Sequence, residues 1–456
     1  MDQPEHTDVV VLGLGPGGEY VAGTLAEAGL HVTGVESRLV GGECPYYGCV
    51  PSKMMVRAAN LIAETRRVPG MAGTSAITPD WSPVARRIRD EATDDWNDKV
   101  AADRFAGKGG HLVRGRGTIT GAGEVTVTGA EGTRVLVARK GIVINTGTDP
   151  AIPSLEGLAD TPYWTNREVV QAERVPESLI VLGGGATGAE FTQVFARFGT
   201  AVTLVEALPR LVSFEEPEAS ELIERIFTAE GITVYTNAPA ERVSHNGTHF
   251  SVHLGMNTLT AERLLVSTGR RTNLAALGVA AAGLDPAAKT IPTDGWMRAA
   301  DGVWAIGDVT GVWPMTYVGK YQGRVAAANI LGRPREADYS AVPRVVFTDP
   351  QIAAVGEPDG PVTATVPLRD VPRTATYTRA YDSRPGFMTL VSDGERLTGA
   401  YAVGPEAGEW LQQATVAIRA RVPLAVMDDV IQPFPTFSEA FLHALAALEA
   451  RIPTAV

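Results

Sequence analysis

Cysteine is almost absent from this 456-residue chain: there are two, so no disulfide framework can hold it together. That excludes the disulfide-stapled secreted scaffolds and makes a reducing cytoplasm the expected compartment. No uninterrupted apolar run approaches the ~20 residues that a bilayer-spanning helix needs, so no membrane partner is expected. The opening residues MDQPEHT are polar and acidic, without the basic and apolar regions of a secretion signal. Basic charge is also in deficit, 40 Lys and Arg against 52 Asp and Glu, for a net charge of −12. Phosphate backbones are bound by clustered Lys and Arg, so no nucleic-acid partner is expected. Glycine, by contrast, is abundant: 49 residues, in a chain that is 45% hydrophobic, fit an α/β protein with many tight turns. The length allows about three domains with sizeable cores.

Both cysteines lie in one short segment, Gly41-Gly42-Glu43-Cys44-Pro45-Tyr46-Tyr47-Gly48-Cys49-Val50-Pro51-Ser52-Lys53. Their spacing can close a small disulfide loop, and the pair reads as a redox-active dithiol more than as a strained clip or two buried thiols. A glycine-rich nucleotide motif precedes it. The strand Asp8-Val9-Val10-Val11-Leu12 runs into Gly13-Leu14-Gly15-Pro16-Gly17-Gly18, then a helix, then a strand that ends at Glu36. Gly13 permits the turn, Gly15 lets backbone approach a pyrophosphate, Gly18 allows close helix–strand packing, and Glu36 suits an adenosine ribose.

A second copy follows downstream. A strand over residues 178–182 leads into Gly183-Gly184-Gly185-Ala186-Thr187-Gly188-Ala189-Glu190, a helix, and a strand ending at Glu206. An acidic residue there favours the free 2′-hydroxyl of NAD over the 2′-phosphate of NADP, although Arg210 nearby would soften the preference. Two fingerprints imply two dinucleotides. With a dithiol beside the first, FAD belongs at the first and NAD(H), favoured over NADP(H), at the second.

The chain resembles the class I pyridine nucleotide-disulfide oxidoreductases, the flavoprotein disulfide reductases that include dihydrolipoamide dehydrogenase, glutathione reductase and mercuric reductase. Besides the redox segment and the fingerprints, Val143-Ile144-Asn145-Thr146-Gly147-Thr148-Asp149-Pro150 is similar to the exit from the family's first FAD segment. Ser267-Thr268-Gly269-Arg270-Arg271-Thr272-Asn273 is similar to the exit from its nucleotide domain. Val303-Trp304-Ala305-Ile306-Gly307-Asp308 resembles the second FAD motif, whose aspartate contacts the ribityl chain, and the sequence from Val345 resembles the start of the dimerisation domain. The resemblance implies an α/β fold with two Rossmann-like dinucleotide-binding domains and a C-terminal α+β dimerisation domain. Its segments are residues 1–150 (FAD, with the redox pair), 151–268 (nucleotide), 269–341 (FAD again) and 342–456 (interface). Helical stretches are expected around residues 54–66 and 83–106, and a hairpin near residues 245–254.

The resemblance also implies the chemistry. NADH delivers hydride to the flavin, and electrons pass to the Cys44–Cys49 disulfide and on to a small-molecule acceptor. Cys49 is the flavin-proximal sulfur, Cys44 the interchange thiol, and Lys53 and Glu190 form an ion pair near flavin N5. A helix starting around Pro51 would favour thiolate through its dipole. A homodimer is implied, with each active site shared across the interface.

One departure stands out. Dithiol-handling members of the family close on His-Pro-Thr-x-Ser-Glu, whereas this chain reads Phe434-Pro435-Thr436-Phe437-Ser438-Glu439. Glu439 is kept, and Phe434 stands where a histidine exchanges protons with the interchange thiol. Loss of a general base costs ~10²–10⁴ in rate, so efficient turnover of lipoamide or glutathione is not expected unless another group shuttles protons. Tyr46 and Tyr47 inside the redox loop, Tyr317 and His443 are alternative proton carriers, each with packing or a surface role as the commoner fate. Glu43 replaces a common threonine. His245, His249 and His253 are spaced four apart, yet Asn246-Gly247 marks a turn and makes a solvated hairpin the expectation over a metal site.

Three functions follow. The first is an FAD-dependent NAD(P)H oxidoreductase acting on a disulfide, or on another electrophile such as a quinone or metal ion. Mercury is disfavoured because no C-terminal cysteine pair exists. The second is carbanion chemistry of the ketopropyl-coenzyme M oxidoreductase/carboxylase type, which also has Phe in place of the histidine. The third is a non-enzymatic flavin-binding dimer, against which the intact dithiol argues.

Overall fold

The structure is a computed structural model and describes residues 3–377 and 386–452. The chain forms two compact units. The first takes residues 1–51, 86–151 and 270–338. Its centre is the strand Glu5–Leu12, parallel to Val32–Glu36 on one side and to Gly132–Ile144 on the other. Val9, Val10 and Val11 are completely buried, the continuous apolar run of a parallel strand covered on both faces. His111–Arg114 extends the sheet beyond Val32–Glu36, and Val303–Ala305 and Arg298–Ala300 extend it beyond Gly132–Ile144. Arg116–Gly121 and Glu124–Gly129 join as an antiparallel meander. The helices Pro16–Glu27 and Thr316–Ile330 approach each other through glycines: a Cβ on Gly17 would stand 2.7 Å from the Gly319 carbonyl oxygen.

Two local expectations are refined by the structure. The helix of the redox segment begins at Cys49 and runs to Arg67, so Cys49 itself occupies its first turn. The helix expected over 83–106 is broken. Ser82–Arg87 passes into a π-type turn, Ile88–Ala92, and Asp94, Asp95 and Trp96 then follow with φ of 48°, 55° and 56° before Lys99–Gly107 resumes. The cause is local: Thr93 Oγ1 donates back to the Ile88 carbonyl at 3.0 Å, Asp95 N–H bonds Arg89 O at 2.7 Å, and Asp is among the few residues that tolerate the left-handed region.

The second unit takes residues 52–85, 152–269 and 339–456. A parallel sheet in the order Thr233–Tyr235, Ala201–Val205, Ser178–Leu182, Arg263–Val266 carries the second fingerprint. The expected hairpin is present, with Arg242–His245 antiparallel to Phe250–Leu254, and Asn257–Ala261 adds a third strand. A five-stranded antiparallel sheet between Arg344 and Gly404 packs under the helix Ala440–Glu449, which buries Phe441, Ala444, Leu445 and Leu448. Within this unit Arg197, only 3% exposed, bonds Glu230 at 2.8 Å, Asp349 at 2.9 Å and Asn60 at 2.6 Å. Removing one partner of such a buried pair typically costs about 3–5 kcal/mol.

Candidate active site

The first fingerprint is held open by its own glycines. Gly13 has φ +89°, donates to Val35 O at 2.8 Å, and has the Asn145 backbone where a side chain would be. Gly15 caps the helix Pro16–Glu27 in an extended conformation, and a Cβ on Gly18 would overlap the Gly13 carbonyl oxygen. Glu36, buried, ties the turn to the strand end: Oε2 accepts from Leu14 N–H at 2.8 Å and Oε1 from Arg38 N–H at 2.8 Å. Burial raises its carboxyl above the ordinary glutamate value, while those backbone bonds pull the other way.

A cavity of about 450 Å³ opens beside this turn, walled by Gly13, Gly15, Glu36, Cys44, Gly147 and Asp308 among others. Its size falls in the range of small-molecule sites. Backbone makes up the cradle, since a Cβ on Gly42 would stand 2.8 Å from Gly15 Cα. A helix N-terminus for phosphates and two carboxylates for hydroxyls complete a set that fits FAD. Asp308 is itself oriented by Thr148, whose hydroxyl donates to Oδ2 at 2.9 Å, and Thr148 in turn receives Arg270 Nε at 2.6 Å.

The two cysteines are free thiols hydrogen-bonded to each other. Cys44 lines the cavity; Cys49 is exposed and lies 3.3 Å from the hydroxyl of Thr316, another wall residue. The bond to Cys49, followed by burial, pushes the Cys44 thiol far up, and Thr316 and Lys320 oppose that rise. Cys49 at the start of a 19-residue helix faces the positive end of its dipole. Tyr46 is buried with its hydroxyl on Val40 O at 3.2 Å, which settles it as a packing residue; Tyr47 lines the cavity, and the exposed Tyr317 donates to Met315 Sδ.

The second fingerprint repeats the first bond by bond. Gly183 has φ +103° and donates to Val205 O at 2.8 Å, and a Cβ on Gly188 would overlap the Gly183 carbonyl. Glu206 accepts from Gly184 N–H at 2.6 Å and from Leu208 N–H at 2.8 Å. Gly185 caps the helix Ala186–Arg197 with open space beyond its Cα, and Gly269, φ +124°, lies three residues past the end of the strand Arg263–Val266 with nothing close to it. Arg210 is engaged elsewhere, bonding Ser220 Oγ at 2.9 Å, Ser213 O at 2.8 Å and Glu215 O.

In the same unit Lys53 and Glu190 meet at 2.6 Å, as the resemblance implied. Glu190 Oε1 is occupied by Phe347 N–H at 3.0 Å, and Lys53 Nζ stands 4.6 Å from the Phe347 ring centre. Phe434 is 71% exposed beside Ile431 at 95% and Val430 at 46%. Glu439 Oε2 is buried without a hydrogen-bond partner. His443 is exposed on the following helix. His245 and His253 stand on the paired strands of the hairpin with His249 between them, and His253 bonds Thr258 at 3.0 Å.

Several site residues carried no assigned role in the sequence reading. Asn145 donates to Gly13 O at 3.0 Å and packs under Gly17 and Gly307; Gln322 receives Gly307 N–H at 2.6 Å; Thr316 touches Cys49. Asn145 and Thr148 lie inside a recognised motif and were legible there. Thr316, Gln322 and Phe347 have no pattern that marks them.

The comparisons with known proteins agree with this geometry. The family model described as pyridine nucleotide-disulphide oxidoreductase matches residues 7–325, and its dimerisation domain matches residues 342–445. The chain is 35% identical to a mercuric reductase of Acidithiobacillus ferrooxidans, over 95% of this chain and 81% of that one. It is 31% identical to a dihydrolipoyl dehydrogenase of Chlamydia trachomatis, over 98% and 97%. Among solved structures, LpdA from Mycobacterium tuberculosis superposes with a TM-score of 0.85 at 26% identity, covering 97% of this chain and 99% of that one. The Cu(II) complex of the HOCl-induced flavoprotein disulfide reductase RclA from Escherichia coli gives 0.84 at 25%, covering 97% and 99%. No helix among the described residues is long and apolar enough to cross a membrane. The two dinucleotide turns, the thiol pair with Cys44 on the cavity wall and the dimerisation domain thus make this chain a member of the pyridine nucleotide-disulfide oxidoreductases, an FAD-dependent NAD(P)H oxidoreductase acting on disulfides or related acceptors.

Proposed function

We propose that the chain is an NADH-dependent reductase whose Cys44–Cys49 dithiol serves an acceptor that takes no proton from the protein, with a thiophilic metal ion such as Cu(II) as substrate. Phe434 carries this reading. Reducing a disulfide expels a thiolate that must be protonated, and a phenyl ring at the histidine position cannot do so. When the dithiol closes to a disulfide it releases two electrons and two protons, and two Cu(II) ions become two Cu(I) without consuming either proton.

Adjacent thiols are soft ligands suited to such an ion. No set of three or more ligand side chains surrounds them among the described residues, which favours a passing ion over a resident centre. Relatives named mercuric reductase and the copper complex of RclA support the same acceptor class. The chain has no further cysteine with which to handle mercury, so copper comes first.

In this reading Gly13, Gly15, Gly18, Glu36, Gly147 and Asp308 hold FAD, and Gly183, Gly185, Gly188, Glu206 and Gly269 hold the nicotinamide nucleotide. FAD when bound supplies two-electron transfer between nicotinamide and thiols. Glu206 favours NAD through its ribose contact, and Arg210, tied to its own loop, is not free to bind a 2′-phosphate. Lys53 and Glu190 are the pair at the flavin, Cys49 the flavin-side sulfur and Cys44 the interchange thiol. Phe434 and Glu439 reach the partner's dithiol across the homodimer interface, for which the exposed apolar strip at residues 430–434 is suited. Residues 1–150, 151–268, 269–341 and 342–456 divide these tasks, and the enzyme works in the cytoplasm.

An anaerobic NADH titration followed by an acceptor panel tests this. A long-wavelength band from a thiolate beside flavin, with Cu(II) turnover at least ~10²-fold above lipoamide and glutathione disulfide in kcat/KM, is expected. Fast lipoamide turnover by the unaltered chain would sink the proposal. Phe434→His should raise disulfide reduction by at least about tenfold, and no gain would mean the missing base does not limit the rate.

A further inference from the structure

The segment that broke the expected helix grips the redox loop from two sides. Trp96, third of three consecutive left-handed residues, donates Nε1–H to Tyr46 O at 3.2 Å, and Tyr46 lies between the two cysteines. Asp98 accepts from Val40 N–H at 2.5 Å, where the loop begins. Arg114 then locks Asp98 through two bonds of 2.6 and 2.8 Å and also donates to Arg38 O at 3.0 Å. Asp98 is buried, and Arg114 holds its carboxyl below the ordinary aspartate range.

Non-glycine residues in the left-handed region are uncommon, and three in succession persist only where surrounding structure enforces them. Here the π-type turn Ile88–Ala92 comes just before, and Trp96 N–H bonds Thr93 Oγ1 at 3.3 Å. The outcome of that unfavourable backbone is an indole aimed at a carbonyl inside the dithiol loop. A helix continued through residue 96 would place Trp96 elsewhere.

We propose that Trp96 and Asp98 are positioning residues that hold the loop of residues 40–47 so that the Cys44 and Cys49 sulfurs stay within bonding reach, thereby setting the reduction potential of the pair. The inference rests on the reading of Cys44 and Cys49 as the redox pair. The reaction is disulfide + NADH + H⁺ → dithiol + NAD⁺: one S–S bond breaks, two S–H bonds form, and NADH supplies both electrons. Closure of the disulfide is favoured in proportion to how often the fold brings the sulfurs together, so a looser loop makes the disulfide easier to reduce.

The test uses the full-length, FAD-loaded protein in glutathione redox buffers, with thiol alkylation and mass measurement reporting the fraction oxidised. Trp96→Phe keeps the ring and removes the N–H. It should lower the equilibrium constant for closure by roughly fivefold to tenfold, the loss of one hydrogen bond, and tenfold equals about 30 mV. Asp98→Asn should move it in the same direction. Amide hydrogen exchange over residues 40–47 should quicken in both variants while exchange in the second unit stays unchanged. Potential and exchange at the unaltered values in Trp96→Phe would overturn the clamp. If Trp96→Phe fails to retain FAD, Asp98→Asn decides by the same two readouts. If the unaltered protein shows no Cys44–Cys49 couple at all, the redox-pair reading fails instead, a result distinguishable from failure of the clamp.

Discussion

The two glycine fingerprints have the same internal wiring and different surroundings. In each, the first glycine donates to the end of the next strand, the last glycine leaves no room for a Cβ, and a glutamate at the strand end accepts two backbone N–H groups. Around the first, Asn145, Gly42 and Gly319 press close, and the walls enclose a cavity. Around the second, Ser267 and Leu211 press on Gly183 and Gly184, but Gly185 looks into open space. In the function proposed above, these similar local units take on different duties: the first holds the dinucleotide that stays, the second the one that enters and leaves on each turnover. Local sequence builds the turn, and neighbours decide how tightly it closes.

The matched substitutions Gly18→Ala and Gly188→Ala test that contrast most severely, since each Cβ would collide with a backbone carbonyl. Gly18→Ala should purify with under a tenth of the FAD per chain, read from visible absorbance. Gly188→Ala should stay yellow and lose reduction by NADH, with kcat/KM down at least about a hundredfold; a colourless Gly188→Ala protein would break the comparison. These are the largest effects, as overpacking a site without space to yield shifts backbone.

Charge at the second strand end comes next. Glu206→Gln should lower kcat/KM for NADH by about tenfold, the lower end of the value of a hydrogen bond to a charged group, with a smaller change for NADPH. Equal losses with both nucleotides would remove the ribose assignment.

The smallest effect concerns the buried Glu36. Its folded carboxyl binds its proton more tightly than the unfolded chain does, because burial outweighs its hydrogen bonds. The folded form therefore holds more protons across the interval between the two values. Stability from this residue is full below the ordinary glutamate value and falls as pH rises through the raised one. Melting temperatures of the FAD-free protein between about pH 4 and 7 should decline less steeply in Glu36→Gln. An unchanged slope would mean another group governs that range.

Much of the fold was legible because its signals are local. A buried parallel strand needs a continuous apolar run, a dinucleotide turn needs glycine where φ is positive, and a hairpin needs Asn-Gly; all three are spelled out in adjacent residues. Lys53 and Glu190, far apart in the chain, were legible only through resemblance, and the structure joins them at 2.6 Å. The broken helix was harder to read. Residues 83–106 carry helix-forming stretches on both sides of Asp94, and one Thr93 hydroxyl bonded back to the preceding turn is invisible to periodicity. Thr316 and Phe347 reach their partners from distant segments, so no spacing announces them.

Sequence alone determined the two dinucleotide turns, the neighbouring thiols and the absence of histidine at position 434, since each depends on the identity of a few consecutive residues. Only tertiary structure decided that the Tyr46 hydroxyl donates to the Val40 carbonyl, that Arg210 is tied to its own loop, that one Glu439 oxygen is buried without a partner, and that Trp96 and Asp98 hold the redox loop. Those outcomes depend on which backbone groups from remote segments come within about 3 Å, the range of a hydrogen bond, and folding alone sets that.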